Sequence, residues 1–281
     1  MASRVPPLLE PYLGLPPEAS LIVLTSVLGA STNWLVQRYL CSLLGDASRK
    51  APLTGDENID ASKGGETCVV LVSFMRDYAF WKEGAGRLGL DLEGLSKKHR
   101  FKFVDGLTGL FSMAAGVGVK SPVATQTQHV LGTATLDELE RVVHGALQSC
   151  ASRNVVLILD NLDLLRATAG NQISGEALRE ALHHTRENVT STIMTLAADE
   201  PLVSTQATSL EKDHAAVTLS LAHEAEMVIS LRLLDTGTAR DVSGVLRITP
   251  GGDATGFVSE ERELLYFVGG DGSVRVFERG Q

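Results

Sequence analysis

Val155-Val-Leu-Ile-Leu-Asp160 is the stretch on which the fold turns: five consecutive apolar residues that end in a carboxylate. A run this short and this apolar reads as a strand buried on both faces, because a half-exposed strand would alternate with polar residues. Two more such runs lie upstream, Leu21-Ile-Val-Leu-Thr-Ser-Val27 and Thr67-Cys-Val-Val-Leu-Val-Ser-Phe74. Shorter ones are Arg100-Phe-Lys-Phe-Val104 and Thr192-Ile-Met-Thr-Leu196. Helical patterns separate them. Trp34, Leu35, Tyr39, Leu40, Leu43 and Leu44 form a stripe closed by Gly45, and Tyr78, Trp81, Ala85 and Leu88 recur at spacings of three and four behind Asp77. Thr135 and Glu138 have the spacing of a capping box opening a third helix, and Ser174 to Val189 reads as a fourth.

Buried strands alternating with amphipathic helices predict an α/β fold, a mostly parallel sheet with helices on both faces. The last third changes character. Met227–Leu233, Val245–Ile248, Leu264–Val268 and Val274–Phe277 read as strands joined by short loops, with Gly269-Gly-Asp-Gly272 as a hairpin turn. An antiparallel C-terminal extension is therefore expected. The organisation reads as a Pro-rich segment, 1–20, followed by a single domain, 21–281, carrying a polar insertion at 46–66 and an exposed loop at 106–130.

The chain has 281 residues and a formal charge of −9, from 34 acidic and 25 basic side chains. That balance argues against autonomous, non-specific nucleic-acid binding, which needs clustered cations against phosphate. Aromatic residues make up 5% and form no series of base-stacking platforms. Cys41, Cys68 and Cys150 are odd in number and widely spaced, which argues against a disulfide framework and against a cysteine-based zinc site. No apolar run is long enough for a signal sequence or a membrane span. A soluble protein is expected, cytoplasmic or both cytoplasmic and nuclear.

Chemistry-bearing motifs are degenerate. Aligning Thr32 with the last position of a G-x-x-x-x-G-K-[ST] phosphate loop puts Thr25 and Ala30 at the glycines and Ser31 at the lysine. Without the glycines the backbone cannot wrap a phosphate, and without the ammonium nothing offsets its charge. Asp160 retains the form of a carboxylate that reaches a magnesium shell, but strand ends often carry Asp. Asp160 and Asp163 are read as turn and cap residues. Gly84-Ala-Gly86-Arg-Leu-Gly89 matches G-x-G-x-x-G at the end of a helix rather than after a strand, which reads as helix termination. Gly116-Val-Gly-Val-Lys-Ser121 has Val119 where a phosphate loop requires glycine. The histidines fit no metal-ligand spacing. Neither a cofactor, a metal nor a catalytic residue is assigned.

Ser73-Phe-Met-Arg-Asp-Tyr-Ala-Phe-Trp-Lys-Glu-Gly84, continuing through Arg87-Leu-Gly89-Leu-Asp91, resembles the most recognisable segment of the Elongator complex protein 6 family, and the order of elements agrees over about residues 10 to 280. The resemblance implies a RecA-like ATPase fold that has lost its phosphate loop. It implies partners: Elongator subunits four and five, in a hetero-hexameric ring with two copies of each, and the catalytic part of Elongator. It also implies tRNA binding and ATP hydrolysis by the assembled ring as a whole, in support of wobble-uridine modification. RecA-like rings turn loops toward the pore, here Asn161–Ile173 and Asp199–Asp213, so Arg166 and Lys212 are the candidate tRNA contacts. Two other readings compete: an active nucleotide hydrolase whose Thr32 and Asp160 are completed by a neighbour, and a Rossmann-type enzyme using Gly84 to Gly89.

Overall fold

The computed structural model describes residues 5–45, 66–112, 128–235, 237, 239–252 and 260–279. The 46–66 insertion, apart from Glu66, and Gly116–Ser121 lie outside them. Strands β1 (Leu21–Ser26), β2 (Thr67–Ser73), β3 (Phe101–Asp105), β4 (Gln128–Val130), β5 (Asn154–Asp160), β6 (Ser191–Ala197), β7 (Met227–Arg232), β8 (Gly244–Pro250), β9 (Arg262–Val268) and β10 (Val274–Phe277) form one sheet. Its order is β10-β9-β8-β7-β1-β6-β5-β2-β3-β4. From β7 to β4 every pairing is parallel, and from β7 to β10 every pairing is antiparallel.

The pleat divides the core in two. Ile22 and Leu24 of β1, Val69 and Leu71 of β2, and Val156 and Ile158 of β5 face one side, with α1 (Asn33–Leu44), α2 (Tyr78–Arg87) and α3 (Leu92–Lys97). Leu21 and Val23, Val70 and Val72, and Leu157 and Leu159 face the other. There α5 (Leu136–Gln148), α6 (Asp163–Ala169), α7 (Gly175–Arg186) and α9 (Ser209–Glu224) pack against them. Two short helices, α4 (Thr108–Ser112) and α8 (Glu200–Val203), complete the set. Leu9 and Leu13 of the Pro-rich segment are fully buried in the first core, and Tyr39 Oη donates to the Tyr12 carbonyl at 3.1 Å. Proline content there marks a stiff strap over α1.

Several local expectations meet the structure directly. Asp77 caps α2, its Oδ1 accepting from the Phe80 amide at 2.9 Å. The Gly269–Gly272 turn closes with the Gly269 amide on the Ser273 carbonyl and Gly272 at φ +81°. Gly84 and Gly86 lie inside α2, and Gly89 follows it at φ +72°, so the segment ends a helix and offers no strand-to-helix phosphate turn.

Four expectations are corrected. The stretch expected as an exposed loop holds α4 and edge strand β4, since β3 provides a pairing edge that local sequence cannot reveal. Thr135 makes no side-chain cap to α5; Glu138 accepts instead from the Gly132 amide at 3.4 Å and pairs with Arg141 at 2.8 Å. Asn161–Ile173 is mostly helix α6, and Asp199–Asp213 contains α8 and the start of α9. Cys68 and Cys150 are joined as a disulfide with Cα atoms 6.1 Å apart, because β2 begins beside the end of α5 although 82 residues separate the two in sequence.

Candidate functional site

The place to look for a site in an open parallel sheet is the C-terminal edge of its strands. Here β6 lies between β1 and β5, so the loop after β1 and the Asp160 carboxylate flank the end of one intervening strand. That is the arrangement a phosphate loop and a magnesium-shell carboxylate would need. Each part is occupied by the protein itself.

After β1 the chain makes a tight turn. The Ala30 amide donates to the Val27 carbonyl at 2.9 Å, with Gly29 at φ +91°, a conformation that glycine adopts without the Cβ clash. A phosphate loop holds its amides open around an anion; this turn has closed on itself. One of its donors is taken by another loop, since the Leu28 amide donates to Asp199 Oδ1 at 2.8 Å from the loop after β6. A carboxylate thus stands where phosphate oxygens would sit, and it repels them. Thr25 Oγ1 donates sideways to Ser230 Oγ at 3.0 Å, and Ser31 Oγ accepts from the Asn33 amide at 3.2 Å. Ala30 is buried, and Thr32 is 3% exposed, so its hydroxyl is not presented to a bound ion.

Asp160 is fully buried. Its Oδ2 accepts from Ser73 Oγ at 2.8 Å and its Oδ1 from Thr195 Oγ1 at 3.1 Å. Both hydroxyls are held in turn, Ser73 Oγ by the Arg76 amide and Thr195 Oγ1 by the Asn161 amide. Burial pushes the Asp160 pKa up to about 6, and the two hydroxyl donors only partly offset that. A carboxylate so enclosed ties β2, β5 and β6 together at their ends. Asp163 opens α6, its pKa raised by burial and partly offset by nearby His214.

Beside the turn a cleft of about 430 Å³ opens between α1, α2 and the β9–β10 hairpin, lined among others by Gly29, Ser31, Trp34, Phe80 and Tyr266. Trp34 and Tyr266 stack with centroids 5.2 Å apart. Among the described residues lining it, the cation is Arg87, which is paired with Glu83 at 2.6 Å. The cleft therefore offers apolar area and little charge for phosphate. No group of three His, Cys, Asp or Glu side chains able to hold a metal occurs among the described residues. None of their helices is long and apolar enough to cross a membrane.

The two cations expected at tRNA part company. Arg166 is 4% exposed and turned inward, with Nη2 on Asp213 at 2.9 Å and Nε donating to the Ile173 carbonyl at 3.4 Å, so it is not available to a phosphate. The sequence placed it on a loop, whereas α6 packs it beneath α9. Lys212 is exposed in the first turn of α9. Asp199, missed from the sequence, is the residue that decides the loop. Only the Asp-Glu-Pro run at the start of α8 hinted at it, and that run reads equally well as a helix start.

The family model for Elongation complex protein 6 matches residues 63–267. Among solved structures, a KaiC-like protein from the hyperthermophilic archaeon Pyrococcus horikoshii OT3 is similar with a TM-score of 0.58 and 14% identity, over 99% of this chain and 98% of that one. At that identity the likeness speaks for the fold. No curated protein matches the chain.

Proposed function

The chain belongs to the Elongation complex protein 6 family, and on that premise we propose that it is a non-catalytic RecA-like subunit of Elongator. In this reading it assembles with two paralogous subunits, four and five, into a hetero-hexameric ring of two copies each. The ring docks on the catalytic part of Elongator, binds tRNA and supports wobble-uridine modification. The observation that carries the non-catalytic reading is the Leu28 amide held by Asp199 at 2.8 Å, over a closed turn that lacks lysine. The buried, doubly bonded Asp160 supports it.

An assembly role also accounts for what the turn exposes. Leu28 is 86% exposed at its tip, and Leu233, 44% exposed, lies against Gly29. Paired apolar side chains at a strand-end edge suit a subunit contact. A hydrolase completed by a neighbour would need Thr32 and Asp160 free to hold magnesium, and both are buried.

The test has two arms. Titration calorimetry of the purified chain with magnesium and ATP is expected to show no binding at millimolar nucleotide; micromolar affinity would overturn the non-catalytic reading. Light scattering of the chain mixed with subunits four and five is expected to give a stoichiometric ring that binds tRNA. A chain that stays monomeric in the mixture would overturn the assembly reading.

A further inference from the structure

On this acidic chain five of the ten exposed arginines among the described residues are neutralised by a neighbour: Arg87 by Glu83, Arg141 by Glu138, Arg179 by Glu224, Arg247 by Glu261 and Arg279 by Glu263. At the opposite end of the sheet from the closed turn, cations outside any ion pair gather from two elements. Lys97, Lys98, His99 and Arg153 are all exposed, and among the described residues none of them joins an ion pair. They come from two elements, the end of α3 and the loop between α5 and β5, that the fold brings into contact.

The contact is built rather than incidental. Helix α3 ends with the His99 amide on the Ser96 carbonyl at 3.0 Å and the Arg100 amide on the Leu95 carbonyl at 3.0 Å, the paired bonds of a Schellman cap. The left-handed position of that cap, usually glycine, is His99 at φ +57°. The neighbouring loop holds it there: the Ala151 amide donates to the His99 carbonyl at 3.3 Å, and His99 Nδ1 lies 3.2 Å from the Ser149 carbonyl. Beneath the turn, Lys102 is 5% exposed, and its Nζ lies 3.2 Å from His99 Nδ1. Arg100 donates through Nε to the Thr67 carbonyl at 3.4 Å, with Glu66 Oε2 at 4.0 Å. The helix dipole accounts for lysines at the end of α3. It does not account for Arg153, which is carried by the loop that touches His99 at this end of the sheet.

We propose that Lys97, Lys98 and Arg153 form a phosphate-backbone contact surface for RNA at the base of the sheet. RNA is preferred to an acidic protein because, among the described residues, the exposed large apolar side chains, Leu15, Leu28, Met75, Phe111, Val130, Leu210, Leu219 and Leu233, all lie outside the α3–β3 turn and the α5–β5 loop. Protein interfaces centre on a buried apolar cluster, whereas phosphate contacts need cations and hydrogen-bond donors on a rigid frame. The inference rests on the reading of the chain as a subunit of a tRNA-binding ring. It places this chain's cations at the base and not on Arg166, which faces inward.

The test uses the assembled ring and labelled tRNA, followed by fluorescence anisotropy across a salt series. A ring carrying Lys98→Glu and Arg153→Glu is compared with one carrying Arg240→Glu and Arg262→Glu, an equal charge change on exposed residues elsewhere. Losing two phosphate contacts lowers the slope of log affinity on log salt by roughly 1.5 and weakens binding about tenfold or more at moderate salt. That result for the base pair of substitutions, with the control pair near wild type and both rings of correct mass, is expected. Equal losses from both pairs would overturn the proposal, since only overall charge would then matter. Failure of the base variant alone to assemble into a ring would overturn it in favour of a protein contact. Wild-type ring that binds tRNA while the base pair has no effect would overturn the surface and leave the ring reading standing; a wild-type ring that binds no tRNA would overturn both.

Discussion

Substituting Asp160 by Asn separates a structural carboxylate from a metal-holding one. Asp160 is fully buried, and burial raises its pKa from 3.8 to about 6. Because the folded state holds the proton more tightly than the unfolded chain, stability contributed by this group is greatest below pH 4 and declines as pH rises through 6. The full penalty for ionisation is about 2.2 pH units times 1.36 kcal/mol, or about 3 kcal/mol. Roughly half of it has developed by pH 5 and nearly all by pH 8, a difference of roughly 1–2 kcal/mol between the two. Asn keeps both anchors, its carbonyl accepting from Thr195 Oγ1 and its amide donating to Ser73 Oγ, whose own bond with the Arg76 amide leaves a lone pair free. Urea unfolding of wild type and Asp160→Asn at pH 5 and pH 8 is the assay. The variant is expected to gain on wild type by roughly 1–2 kcal/mol over that range. A constant difference, or a gain in the opposite direction, would refute the claim that this carboxylate is ionised at a cost at neutral pH.

Breaking the Arg166–Asp213 pair should be asymmetric. Asp213→Ala strands a guanidinium that is 5% exposed and should cost about 3 kcal/mol, whereas Arg166→Met leaves a half-solvated carboxylate and should cost about 1–2 kcal/mol; equal costs in chemical denaturation would count against the inward packing of α6. Gly29→Ala forces a Cβ into a positive-φ turn, 3.4 Å from Leu233, and should lower stability by about 1–2 kcal/mol in thermal melts. Reduction of Cys68–Cys150 opens a loop of 82 residues and should cost up to about 4.5 kcal/mol on chain entropy. A melting temperature that dithiothreitol lowers in wild type and leaves unchanged in Cys150→Ser is the expected result, and no response in wild type would sink it.

What the sequence determined by itself was whatever depends on residue identity and short spacing. Five apolar runs specify buried strands because nothing polar is available to face water, and they are β1, β2, β3, β5 and β6. Missing glycines and lysine are legible at Thr25, Ala30 and Ser31 without coordinates, since a phosphate loop needs those residue types in that order. Asp77 and Gly272 do their work within a few residues of themselves.

Tertiary structure decided the rest, because it depends on contacts between positions far apart in the chain. Asp199 reaches Leu28 across 171 residues, and only the placement of β6 beside β1 makes that bond. Cys68 meets Cys150 because β2 starts where α5 ends. Arg166 is an ordinary cation in sequence and a buried one in the fold, since α6 forms where a loop was expected and turns the side chain under α9. The basic run Lys97-Lys-His-Arg100 was visible as letters but carried no direction. Its meaning as a surface appeared only when the α5–β5 loop placed Arg153 at the same end of the sheet, because charge acts through space while the sequence orders it along a line.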